Sequence, residues 1–114
     1  MPKRSLTPES LPFAVEKAVK ALGVRIGYAR RRRGMKQSDL ARKAAITAVT
    51  MRRVERGNAG TAIAAYFTAL WALGLEREIL NIAAAEKDEE GKTLERARMP
   101  KRVRAPRRKI DDDF

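Results

Sequence analysis

Apolar positions recur at helical rather than strand spacing along most of the chain. Leu11, Val15, Ala18, Leu22, Ile26 and Ala29 fall on one stripe, which predicts a long amphipathic helix from about Leu11 to Arg33. Gly23 and Gly27 interrupt it; each weakens a helix by about 1 kcal/mol relative to Ala, so they mark a kink or a close approach of another helix. Arg30 to Arg33 place cations at the negative end of the helix dipole, as a solvated cap or as a contact for phosphates, and Gly34 closes the helix as its cap. A helix from Gln37 to Ala44 turns Leu40, Ala41 and Ala44 inward, and the next turns Met51 and Val54 inward at i and i+3. Between them Ala45, Ile46 and Thr47 make a turn, with Ile46 entering the core and the Thr47 hydroxyl capping the second helix.

After a loop from Asn58 to Thr61, residues 62–73 predict a strongly apolar helix stopped by Gly74. Its core stripe is Ile63, Phe67, Leu70 and either Leu73 or Trp71; aromatics at this spacing are core rather than a cofactor box. A shorter helix from Glu76 to Ala85 carries Ile79, Leu80 and Ile82 and can pack on a second copy of the chain. Glu86 to Glu90 read as an acidic, solvated link, with room for one more helix over Lys92 to Arg98. The predicted fold class is all-α: a five-helix domain over residues 10–85, a flexible polar arm over 1–9, and a link, short helix and disordered basic tail over 86–114. Residues 11–18 form an N-terminal helical extension, read as extra core or as a dimer or partner contact.

Composition narrows the chemistry. With no cysteine there are no disulfides and no thiolate zinc site; with no histidine the commonest metal ligand and general base are missing. No metal, cofactor or enzymatic activity is therefore expected. The only acidic cluster, Glu86 to Glu90, lies in a polar link with no nucleophile motif or phosphate loop nearby. No apolar run is long enough to span a bilayer and no signal-peptide pattern opens the chain, so a cytoplasmic, nucleoid-associated location is expected. The net charge of +12 favours a polyanionic partner, although a membrane surface or an acidic protein would also satisfy it. The tail, PKRVRAPRRKIDDDF, carries six basic residues before three aspartates and a Phe. That composition cannot bury enough apolar area to fold alone; it suits a solubilising tail, a strap over DNA phosphates, or a segment that orders on a protein partner.

Two short helices joined by a three-residue turn, in so basic a chain, make residues 37–57 a helix-turn-helix. Its second helix leaves Ala48, Val49, Arg52 and Arg53 for solvent or for the DNA major groove. Arg52 and Arg53 are the candidates for base reading, because a guanidinium bonds guanine O6 and N7 together, for about 1–3 kcal/mol of discrimination. One of them can instead pair with Glu55 or another acid. Ala48 and Val49 offer only methyl contacts, suited to thymine, so DNA shape is expected to carry part of the specificity. Thr47, Thr50, Arg56 and Asn58 are candidates for backbone contacts, Thr50 being equally readable as a neutral surface residue.

Gln37, Ala41, the Ile46-Thr47 turn, Thr50-Met51 and the ending Val54-Glu55-Arg56-Gly57 resemble the Xre-type helix-turn-helix family, which includes small phage repressors. The likeness spans roughly residues 19–80 and implies a lambda-repressor-like domain, a homodimer, and an inverted-repeat operator. The family's usual Gly at the turn is Ala45 here, which in a left-handed conformation costs roughly 1–2 kcal/mol. The resemblance further implies that Gln37 bonds a phosphate and braces the reading helix, and that Arg30 pairs with Glu55 in a structural role. The run RRVERGNAGTAIAAYFTALWALGL and the tail closing on DDDF resemble HipB-type antitoxins within that family. This implies repression of the protein's own operon and a HipA-like Ser/Thr kinase toxin as partner. A stand-alone or prophage-type regulator, and a non-specific basic nucleic-acid-binding protein, remain the alternatives.

Overall fold

Helical spacing in the sequence becomes six α-helices and no strand among residues 10–100, which the structure, a computed structural model, describes. The chain divides into two units, residues 1–81 and 82–114. The first holds α1 (Phe13–Arg32), α2 (Gln37–Ala44), α3 (Ala48–Glu55), α4 (Ile63–Ala72) and α5 (Glu76–Leu80). Pro12 precedes α1, where a fixed φ and a missing N–H cost nothing, and its carbonyl accepts from Val15 and Glu16. The helix ends where Gly34, at φ +69°, turns the chain back through a left-handed conformation.

The core of this unit is centred on Ile26, Leu40, Met51 and Val54, one or two from each of the first three helices and all fully buried. Alanines fill the rest: Ala41 and Ala44 from α2, Ala65, Ala69 and Ala72 from α4, with Tyr66, Leu70 and Leu73 closing it. α3 lies against α1, α2 and α4.

Several positions differ from the sequence expectation. The predicted α1 stripe begins too early: Val15 and Ala18 are exposed and Leu11 is only half-buried, while packing against the core starts at Val19 and Leu22. The N-terminal turns of α1 therefore add no core. In α4, Ile63 and Trp71 are 66% and 58% exposed, and Leu73 rather than Trp71 is the core residue. The helix is apolar on every side, so hydrophobicity could not select its buried face. Packing selects the side bearing Ala65, Ala69 and Ala72, whose small side chains let neighbouring backbones approach. The helix predicted to reach Ala85 stops at Leu80; Ile79 packs inward, Leu80 and Ile82 are exposed, and Ala83 takes a left-handed φ of 55°.

In the second unit a 3₁₀ turn, Ala85–Lys87, precedes α6 (Glu89–Arg98). The expected link is thus partly helix: Asp88 caps it by accepting from the Gly91 N–H at 3.0 Å, and Glu89 and Glu90 occupy the first turn, where the dipole favours acids. α6 buries none of its residues. The arm expected over 1–9 and the tail from residue 101 lie outside the described residues.

Candidate nucleic-acid interface

Three local devices hold α3. The first is a glycine crossing with α1. A Cβ on Gly23 would lie 2.5 Å from both the Gly57 nitrogen and the Val54 carbonyl oxygen. Gly57 itself sits at φ +70°, and a Cβ there would overlap the Lys20 Cα. α1 runs unbroken through Gly23 and Gly27, so the glycines serve close approach and not a kink.

The second device is a partly buried polar knot at the C-terminal end of α3. Glu55 accepts from Arg30 twice, Nε at 2.7 Å and Nη2 at 3.0 Å, and from Gln37 Nε2 at 3.1 Å. A third Arg30 nitrogen donates to the Met35 carbonyl at 2.9 Å. The Arg30 and Glu55 side chains are only 12% and 9% exposed, so each charge depends on the other. Gly27 leaves room for the carboxylate: an added Cβ would stand 3.1 Å from Glu55 Oε1. One acid thereby fastens α1, the start of α2 and the end of α3 together.

The third device is the turn. Ala45 adopts φ 58° and ψ 39°, so the strain is accepted and no rearrangement avoids it. The Ala45 and Ile46 N–H groups donate to the Arg42 and Ala41 carbonyls, closing the orphaned end of α2. The Thr47 hydroxyl accepts from the Thr50 N–H at 3.0 Å and donates to the Thr50 hydroxyl at 2.9 Å, which caps α3.

So held, α3 turns Met51 and Val54 inward and leaves Ala48, Val49, Arg52 and Arg53 exposed, Val49 at 45%. Among the described residues the side chains of Arg52 and Arg53 make no ion pair or hydrogen bond, and Glu55 is already engaged by Arg30 and Gln37. The reading in which one of these arginines serves as Glu55's partner does not hold. Arg56 and Asn58 are exposed just beyond α3. Asn58 organises its own loop: Oδ1 accepts from Gly60 N–H at 2.8 Å and Thr61 Oγ1 at 3.1 Å, and its carbonyl accepts from the Tyr66 hydroxyl at 2.7 Å. Burial raises the pKa of the Tyr66 hydroxyl. Gln37 is half-buried with its amide turned to Glu55, which makes it a brace first.

One cation escaped the sequence reading. Lys20 borders a cleft of about 230 Å³ with Glu16, Arg56, Gly57 and Asn58, because the glycine crossing brings the middle of α1 beside the end of α3. The paired glycines were its only signal in the sequence. On the exposed side of α1 the Arg32 guanidinium stands 4.6 Å from the Tyr28 ring centroid. Hydrogen bonding by Arg32, its charge, and the charge of Arg31 lower the Tyr28 pKa.

Among the described residues no cluster of acids is placed to hold a metal ion, and no helix is long and apolar enough to cross a membrane. What the face offers is two unpaired guanidiniums and two apolar side chains on a firmly seated helix, with cations at its far end. Such groups bind anions and the acceptor edges of bases. No protein-family model, curated protein or solved structure matches the chain.

Proposed function

We propose that the protein is a sequence-specific DNA-binding repressor of the Xre helix-turn-helix type, with a lambda-repressor-like domain that sets α3 in the major groove. The observation that carries this reading is the exposed, unpaired Arg52 and Arg53 on a capped helix joined to α2 by a three-residue turn. Arg52 and Arg53 read bases, Ala48 and Val49 meet thymine methyls, and Thr47, Thr50, Arg56 and Asn58 meet the backbone. Gln37 adds a phosphate contact to its bracing of Glu55. The repressor acts as a homodimer on an inverted repeat with half-sites about 34 Å apart. Within that class we read it as an antitoxin resembling the HipB type, non-enzymatic, repressing its own operon and restraining a HipA-like Ser/Thr kinase.

The test is binding to the protein's own upstream region against a scrambled duplex at moderate salt, with an Arg52→Ala/Arg53→Ala variant alongside. A preference on the order of 10³ that collapses in the variant is the expected result. Equal affinity for both duplexes, with a steep salt dependence, would reduce the function to charge-driven binding. Co-purification with the product of a neighbouring gene tests the antitoxin role separately.

A further inference from the structure

Away from α3, the first unit carries a cleft of about 580 Å³ whose apolar lining includes Met35, Trp71 and Leu73. Among the described residues two cations border it, Arg33 just after α1 and Lys43 on α2, with Glu76 at the start of α5 as the one acid. Trp71, the only tryptophan of the chain, leaves 58% of its surface in water although it stands on the most apolar helix. The Lys43 side chain makes no ion pair or hydrogen bond among the described residues, and the Arg33 guanidinium spends only Nη1, on the Ala29 carbonyl at 3.0 Å. The cleft is open on one side, and its volume lies within the range of about 300–1,000 Å³ typical of ligand sites.

We propose that this cleft docks an acidic segment of a partner protein, one that bears a large apolar side chain. The apolar group lies against Trp71 and Met35, and the segment's carboxylates lie between Arg33 and Lys43. Trp and Arg are among the residues most often decisive at the centres of protein interfaces. Charge complementarity sets the sign of the partner. Glu76 repels the evenly spaced charges of a phosphate backbone, whereas the separated carboxylates of a peptide can be met by the two cations while avoiding it. The site shares no residue with α3, so it stands or falls independently of the DNA-binding reading.

Trp71 fluorescence in the full chain reports occupancy directly. The probe is a capped pentapeptide, Ile-Asp-Asp-Asp-Phe, which has the composition of residues 110–114. It is titrated into the protein and into an Asp111→Asn/Asp112→Asn/Asp113→Asn variant, so that the chain's own acids cannot compete. A saturable change is expected, with affinity at least about tenfold weaker for Lys43→Glu and for the Ile-Asn-Asn-Asn-Phe peptide, a loss of about 1.4 kcal/mol. Trp71→Ala, followed by calorimetry, should lose binding while keeping its helical circular dichroism, and Arg52→Ala/Arg53→Ala should bind normally. Absence of a saturable change in both backgrounds, equal affinity for the uncharged peptide, or a stronger response to a single-stranded oligonucleotide would overturn the proposal.

Discussion

Gly23→Ala is the sharpest test of how α3 is seated. The added methyl would lie 2.5 Å from the Gly57 nitrogen and from the Val54 oxygen, the donor and acceptor of the hydrogen bond, 3.0 Å long, that ends α3. Ordinary contact lies at about 3.5–4.0 Å, so the two backbones must part by about 1 Å or that bond must break. No rotamer change can relieve the clash, because both atoms belong to the main chain. Overpacking costs about 1–3 kcal/mol, and here its upper part applies; the better helix propensity of Ala returns about 1 kcal/mol. A net loss of about 2 kcal/mol is expected, a large share of the 5–15 kcal/mol or so available to a domain of this kind. Denaturant unfolding followed by far-ultraviolet circular dichroism measures it, with Gly27→Ala as control. At Gly27 the nearest atoms belong to side chains and lie farther off, Glu55 Oε1 at 3.1 Å and Arg31 Nη1 at 3.3 Å, so a shift of a few tenths of an ångström suffices and its loss should be smaller than that of Gly23→Ala. If Gly23→Ala is as stable as the parent with an unchanged denaturant slope, the backbone crossing is not what positions α3.

Ala45→Gly should stabilise the fold: relief of left-handed strain at φ 58° is worth about 1–2 kcal/mol, and the added freedom of the unfolded chain takes back about 0.5–1 kcal/mol. A melting midpoint that stays level or drops would contradict the strain. The chain's two tyrosines should titrate on either side of about pH 10, Tyr28 below and Tyr66 above, in an ultraviolet absorbance titration where Tyr28→Phe removes the early step. Because folding raises the Tyr66 pKa, its contribution is complete below about pH 10 and is lost as pH rises through the folded value. Stability should therefore fall on the alkaline side, and less steeply in Tyr66→Phe.

The helices around the turn were readable because polar and small residues punctuate them. Gln37 and Ala44 bound α2 where expected, and the Thr47 cap announced the start of α3. The contact between Arg30 and Glu55, separated by 25 residues, followed from resemblance and from no local pattern. Where the sequence misled, it lacked contrast. α4 is apolar all round, so its buried side is decided by which neighbours must come close, a property of three other helices. The exposed N-terminal turns of α1 show a related limit: helical spacing reports that a side chain can face a partner, and says nothing of whether one is there. Gly23 and Gly27 likewise flagged an irregularity, and only the path of α3 distinguished contact from kink.

The seat of α3 among α1, α2 and α4 has a consequence in time. With Met51 and Val54 fully enclosed, the helix cannot detach without opening the core, whereas α5 holds on by a partly buried Ile79 with none of its residues fully buried, and can fray by itself. Amide hydrogens in the body of α3 should thus exchange only through events close to global unfolding, and those of α5 long before. On the DNA-binding reading proposed above, the outer face of α3 is therefore in its final shape before DNA is met, and binding orders only the arginine side chains.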